Sequence, residues 1–176
     1  MSCGPYYGKY RGVVISPMDL AMKGRITASV TVGGTPLQVV AEACTPYPGF
    51  YAIPPANAGV WIEFEEGDLE KPIWTGCWWR EGEVLALLQP DIPPTTPQTV
   101  VFTVAPTGGI PTKSAARIKM NTLTGDLTLE SLIPTPPLAA SIKLSATGIQ
   151  ITYGTNVIDI SPVGIDLNHK ALTILP

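Results

Sequence analysis

Pairs of aliphatic residues separated by one polar or small residue recur through the last third of the chain. The pairs are Ile142/Leu144, Ile149/Ile151, Ile158/Ile160, Ile165/Leu167 and Leu172/Ile174. They return about every seven to nine residues, which is typical of very short strands, and turn formers such as Gly148, Gly154 and Pro162 separate them. We expect each strand to be too short for a useful sheet within one chain, so this ribbon needs partners.

The aliphatic pairs need burial. Left exposed, they would form a long apolar stripe with open strand edges, which favours aggregation. Burying about ten aliphatic side chains at roughly 1.5 to 3 kcal/mol each contributes about 15 to 30 kcal/mol as an upper estimate. The tail therefore predicts an intertwined trimeric β-prism or β-helix that buries the stripe around one axis, and ordinary strands of a β-sandwich are the alternative. The predicted trimer core is Ile142, Leu144, Ile149, Ile151, Ile158, Ile160, Ile165 and Leu167.

Composition supports an all-β chain. The chain has 176 residues with 19 prolines, 17 glycines and 14% charged residues, which favours many short strands and turns over helices. No apolar run approaches the roughly 20 residues that cross a bilayer, and Met1–Tyr10 does not resemble a signal peptide. We therefore expect a soluble protein assembled in the cytoplasm of the producing cell. A net charge of -3 without a basic patch disfavours nucleic-acid binding.

The first half of the chain contains a separate set of strands. Five strands in under about 100 residues, with Gly33-Gly34 and Gly67-Asp68 at tight turns, predict a small closed barrel of the oligonucleotide/oligosaccharide-binding (OB) type, with a sandwich as the alternative. Val60, Ile62 and Phe64 alternate with Trp61, Glu63 and Glu65, so the first set should face the barrel interior. The predicted strands are Arg11–Ser16, Arg25–Val32, Leu37–Ala43, Val60–Glu66 and Ile73–Trp79.

Proline-rich segments divide the chain. Residues 89–97 contain four prolines and predict a stiff extended linker between a barrel with its N-terminal arm, residues 1–88, and a needle, residues 98–176. The needle begins with predicted strands at Thr99–Val104, Ala116–Met120 and Asp126–Glu130.

Residues with catalytic or metal-binding chemistry do not form a recognisable site. One histidine, His169, cannot build a histidine-rich metal site within one chain, and Ser161, Asp166 and His169 lack a nucleophile elbow. We expect the acidic residues from Glu63 to Glu70 to form a polar surface, because Glu63 and Glu65 share the outward face of their strand. We predict no catalytic residue, no metal and no cofactor. Cys3, Cys44 and Cys77 lack CxxC spacing and should be free thiols, the inner two as small core residues.

One stretch of the barrel resembles a known family. It runs from Gly49-Phe50-Tyr51-Ala52-Ile53-Pro54-Pro55 through Gly59–Asp68 to Lys71-Pro72-Ile73-Trp74-Thr75-Gly76-Cys77-Trp78-Trp79, and Tyr6–Val14 and Gly24-Arg25-Ile26 match as well. These motifs resemble the injector-type barrel of phage baseplate assembly protein V and the related VgrG spikes of contractile injection systems. The shared positions read as fold-forming, because Gly67, Pro72 and Gly76 suit a turn, a strand start and a bulge.

The resemblance implies a structural homotrimer and not an enzyme. It implies a central spike in the baseplate of a virion or injection particle, made rigid to pierce an envelope and touching the target membrane only transiently. The partners implied are a separate baseplate hub protein and a PAAR-type tip protein. The apolar end of the chain needs a cap, which places tip docking at Leu172, Ile174, Leu175 and Pro176. The rival is an OB module that binds glycans through Trp74, Trp78 and Trp79, although core and trimer packing is the preferred role of these tryptophans.

Overall fold

The computed structural model describes residues 5–83, 99–104, 116–131, 139–168 and 171–174. These residues form thirteen β-strands and a short 3-10 helix, so the fold is all-β as the sequence predicts. The chain divides into two compact units. The predicted linker, residues 89–97, lies outside the described residues, and the domain boundaries remain a prediction.

The first unit is a closed barrel of five strands in the order β1-β2-β3-β5-β4. Its pairs are antiparallel except β3 with β5, which run parallel at Glu42 and Ala43, opposite Ile73 and Trp74. The closure and strand order are consistent with the predicted OB fold. The strands are β1 Tyr10–Ser16, β2 Ile26–Val32, β3 Thr35–Ala43, β4 Gly59–Phe64 and β5 Pro72–Trp78.

The barrel encloses a small aliphatic core. Alternation along β4 buries Val60, Ile62 and Phe64, which confirms the predicted interior set. Trp74 is also buried, and its indole Nε1 donates a hydrogen bond to the carbonyl oxygen of Gly24 at 3.0 Å. Thus the core also anchors the loop that precedes β2.

Glycines shape the barrel where its chain turns or bends. Gly33 and Gly34 have positive φ and close the β2–β3 hairpin, as predicted. The β4–β5 register shifts between Trp61 and Ile62, opposite Gly76, which is the predicted bulge. Strand β4 ends at Phe64 and not at Glu66, because Glu66 and Gly67 take positive φ within the 3-10 helix Glu65–Gly67.

The second unit is an eight-stranded antiparallel sheet in which each strand pairs with its neighbours in chain order, from β13 back to β6. The prediction that these strands are too short for a useful sheet within one chain was wrong, because tight turns let successive strands pair directly. The strands are β6 Thr99–Val104, β7 Ala116–Asn121, β8 Leu127–Ser131, β9 Ala140–Ser145, β10 Gly148–Tyr153, β11 Asn156–Ser161, β12 Gly164–Leu167 and β13 Leu172–Ile174.

Two turns of the sheet repeat the same hydrogen bonds. At the β9–β10 turn the Ser145 hydroxyl donates to the Gly148 carbonyl at 3.2 Å and accepts from the Thr147 amide at 3.3 Å. At the β11–β12 turn Ser161 makes the equivalent bonds to Gly164 and Val163, both at 3.4 Å. These serines satisfy backbone groups that the short turns leave unpaired.

Candidate assembly surface

The eight-stranded sheet has one apolar face. Residues directly opposite each other in an antiparallel pair project to the same side, and the strand register aligns aliphatic and aromatic side chains across all the strands in two rows. The first row is Val100, Met120, Leu127, Leu144, Ile149, Ile160, Ile165 and Ile174. The second row is Phe102, Ile118, Leu129, Ile142, Ile151, Ile158, Leu167 and Leu172. We call these two rows the apolar face.

The apolar face is uncovered in a single chain. Most of its side chains are between 37% and 59% exposed, while Leu127, Ile165 and Leu167 are half-buried. Burying the exposed remainder of one such side chain contributes about 1 kcal/mol, and both rows together roughly 10 to 20 kcal/mol per chain. An exposed patch of this size marks a site of association.

The opposite face of the sheet is polar and ion-paired. Glu130 accepts from Arg117 at 2.7 Å and from Lys119 at 2.8 Å, with all three side chains largely buried. Further along, Lys143 lies 3.1 Å from Asp126, and the Gln150 amide donates to Asp159 at 3.1 Å. The sheet therefore has one face suited to solvent and one suited to an apolar interior.

The predicted core residues all lie on the apolar face. Ile142, Leu144, Ile149 and Ile151 share it with Ile158, Ile160, Ile165 and Leu167. The structure brings them together on one sheet, and their packing in a trimer remains a prediction.

Strands β6, β7 and β8 also contribute to the apolar face, and this part was not among the predicted core residues. Its residues form the same i, i+2 pairs, which was the signal available: Val100/Phe102, Ile118/Met120 and Leu127/Leu129. Leu172 and Ile174, predicted to dock a tip protein, extend the two rows on the last strand. Leu175 and Pro176 lie outside the described residues, as does His169.

The tryptophans of the barrel do not form a shared binding platform. Trp74 is in the core, whereas Trp79 is 67% exposed. Trp78 packs on the barrel wall, where its indole Nε1 donates to the carbonyl oxygens of Gly12 and Val60 at 3.3 and 3.1 Å. Core packing is confirmed for Trp74, so a glycan platform built from Trp74, Trp78 and Trp79 finds no support in their positions.

A cationic stack covers the same wall. The Arg11 guanidinium lies 5.0 Å from the centroid of the Trp78 ring and 5.6 Å from that of the Trp61 ring, and the Arg80 guanidinium lies 5.6 Å from the centroid of the Trp78 ring. Both guanidinium groups are therefore engaged in cation–π contacts on the outer wall of the barrel.

The acidic residues from Glu63 to Glu70 make ordinary polar contacts on the surface. The Lys9 ammonium, together with the Thr75 hydroxyl, holds the pKa of Glu63 below its usual range. Glu65 lies 4.0 Å from Lys71, and Asp68 accepts from the Glu70 amide at 3.0 Å. Within the described residues no group of histidine, cysteine and acidic side chains could hold a metal ion.

The inner cysteines are free but not buried. Cys44 and Cys77 are both exposed, so their predicted place in the core was wrong. Cys44 follows the end of β3, and Cys77 lies three positions from the buried Trp74, an odd offset that normally places two side chains on opposite faces of a strand. Cys3 lies outside the described residues.

One family model matches the barrel. Residues 10–79 match the model of the type VI secretion system/phage-baseplate injector OB domain. This region is similar to an injector OB domain. The match supports a structural role at the baseplate of a phage or injection system and favours a protein without catalysis. The match covers all five barrel strands, whereas the eight-stranded sheet lies outside it.

No curated protein matches the chain. In the part of the chain that the structure describes, no helix is long and apolar enough to cross a membrane.

Proposed function

We propose that this protein is the central spike of a contractile tail baseplate or phage-like injection system, acting as a rigid homotrimer. The observation that carries the proposal is the uncovered apolar face, two side chains wide on every strand of the sheet. Three copies can close three such narrow sheets into a prism, with the apolar faces inside and the ion-paired faces outside. The injector OB domain supplies the link to a baseplate.

The proposed trimer differs in one respect from the intertwined form that the sequence predicts. In one chain, the eight strands of the second unit pair with one another into one sheet. A prism whose three sides are three separate sheets therefore suits this structure better than strands of different chains alternating along one side. A dimer formed by two apolar faces packed against each other is the competing assembly, and native mass distinguishes the two.

The partners follow from the proposed role. The barrel would join a separate hub protein, and the last strand with residues 172–176 would receive a PAAR-type tip protein. Assembly would take place in the cytoplasm of the producing bacterium, without nucleic acid and with only transient contact with the target membrane. The spike would transmit force from the contracting tail to the target envelope, so its function is mechanical.

Native mass spectrometry of Ile151→Asp tests the trimer. The substitution would place three carboxylates in the shared interior, where each unpaired charge costs several kcal/mol. We expect loss of the trimer, or a large fall in melting temperature. Thr152→Asp is the matched control, because Thr152 is the next residue of β10 and faces the polar side. An Ile151→Asp protein that stays trimeric with an unchanged melting temperature would refute the shared interior.

A further inference from the structure

One end of the barrel presents large apolar side chains to solvent. The β1–β2 loop, residues 17–25, and the β3–β4 loop, residues 44–58, leave this same end, because Ala41 lies opposite Ile26 and Gly59 opposite Val13. Leu20 is 95% exposed. We call the exposed apolar residues of both loops the loop surface: Met18, Leu20, Met22, Tyr47, Phe50 and Tyr51.

A carboxylate fixes the backbone of the β1–β2 loop. Asp19 accepts hydrogen bonds from the amides of Ala21, Lys23 and Arg25 at 3.1, 2.7 and 3.2 Å. It also accepts from Nε and Nη2 of the Arg25 guanidinium at 3.1 and 2.8 Å. Next to these bonds, the Gly24 carbonyl accepts from the buried indole of Trp74. The loop therefore holds its apolar side chains on an ordered backbone tied to the core.

The loop surface is nearly uncharged. No charged residue lies between Glu42 and Glu63 in the sequence. Asp19 and Arg25 neutralise each other, and Glu42 interacts electrostatically with Arg25. Lys23 is exposed and makes no ion pair with any residue in the described part of the chain. One unmatched positive charge thus borders a set of apolar side chains.

We propose that the loop surface docks a protein subunit of different sequence, which offers apolar pockets beside a carboxylate that pairs with Lys23. Methionine and tyrosine are enriched at protein interfaces, and an ordered loop loses less conformational entropy on binding than a mobile one. A membrane fits less well, because adsorption to anionic lipid needs clusters of basic residues. A second copy that meets the same end of the barrel fits less well too, because the carboxylates beside its loops, Asp19 and Glu42, already interact with Arg25. The proposal rests on the proposed function in one respect, since it specifies the surface by which the barrel would join a separate subunit, and it stands whether or not the sheet trimerises.

Site-specific photo-crosslinking of the full-length protein in its native host tests this proposal. The probe is p-benzoylphenylalanine placed at Leu20, with the same probe at Thr31 as control, because Thr31 is exposed on the wall near the other end of β2. We expect an adduct from Leu20 and none from Thr31. Peptide mass spectrometry should identify a segment of another polypeptide that combines apolar residues with Asp or Glu.

Charge reversal makes the test specific. Lys23→Glu should reduce the Leu20 adduct about tenfold, and Lys or Arg in place of the identified carboxylate should restore it. Lys23 contributes only its backbone amide to the loop, so the variant should fold, and circular dichroism checks this. Leu20→Ser, tested for binding to the identified polypeptide, should weaken binding independently of charge. No Leu20 adduct above the Thr31 level, an adduct with lipid, an adduct with a second copy, or full yield from Lys23→Glu would overturn the proposal.

Discussion

A single carboxylate, Asp19, determines the conformation of the β1–β2 loop. Hydrogen bonds from the Arg25 guanidinium, with help from backbone amides, hold the pKa of Asp19 well below its usual range. The folded protein therefore favours the ionised form. The resulting stability is fully present above the ordinary Asp pKa of about 3.9, and it is lost as the pH falls through the lower pKa of the folded state.

We predict that Asp19→Asn lowers the melting temperature at pH 7 and that its difference from the wild type narrows as the pH falls below about 4. Thermal unfolding of both proteins across that pH range measures the difference. Asp68→Asn is the control, because the Asp68 carboxylate accepts a backbone hydrogen bond from the Glu70 amide in an exposed turn. A difference for Asp19→Asn that does not change with pH would exclude the ionised carboxylate as its source.

A second residue-scale prediction concerns Gly148 at the β9–β10 turn. Gly148 has φ +147°, and a Cβ there would lie 2.1 Å from the carbonyl oxygen of Ile160 on the adjacent strand. Gly125 also has positive φ, but a Cβ there would meet nothing within 4 Å. Gly148→Ala should therefore destabilise the protein by about 1 to 3 kcal/mol more than Gly125→Ala. Urea unfolding compares the two variants, and equal losses would show that backbone conformation alone explains the requirement for glycine.

At the scale of elements, strands β6, β7 and β8 should contribute to assembly as much as the strands after them. Leu129 lies on β8, opposite Ile118 and Ile142 in the second row. We predict that Leu129→Asp disrupts the assembly as strongly as Ile151→Asp, because the buried charge again costs several kcal/mol.

Thr128→Asp provides the matched control for this strand. Thr128 lies opposite Lys119 and Lys143 on the polar face, where a carboxylate should be tolerated. Size-exclusion chromatography with light scattering gives the mass of each variant. A stable Leu129→Asp assembly would restrict the apolar interior to the strands from β9 onward.

The alternation of inward and outward side chains along the strands was the feature of the fold that could best be predicted from the sequence. It correctly assigned Val60, Ile62 and Phe64 to the barrel interior and gave Thr99–Val104 its observed bounds. The prediction failed where it rested on residue type alone. Cysteine is among the residues most often buried, but Cys77 lies three positions from the buried Trp74, where simple alternation predicts an outward side chain, and it is exposed.

Only the part of the apolar face on strands β9 to β13 was predicted from the sequence, for a different reason. The pairs in β9 to β13 are dense in isoleucine and leucine, whereas β6 and β7 supply Val100, Phe102 and Met120 on longer connections. The regular spacing was therefore visible only in the tail. The short strands also led to the wrong prediction that no sheet forms within one chain. Pairing within the chain depends on turns such as those at Ser145 and Ser161, and the residue pattern does not reveal the hydrogen bonds of these turns.

At the scale of the whole molecule, the two compact units should be separable. We predict that a fragment of residues 98–176 assembles without the barrel, because the apolar face lies within it. Native mass spectrometry should give three copies. A fragment that is monomeric and unfolded, while residues 1–97 form a trimer, would show that the barrel drives association.

The repeated turns of the sheet have a consequence for its length. Residues 146–161 comprise one turn, β10, a second turn and β11, so their deletion would join Ser145 to Pro162 and let Ser145 meet Gly164 as Ser161 does. The shortened sheet would keep its direction and both rows, and it would lose two strand spacings, about 10 Å. Insertions and deletions of strand pairs could thus adjust reach in fixed steps, while a single strand could not be added or removed without reversing the chain.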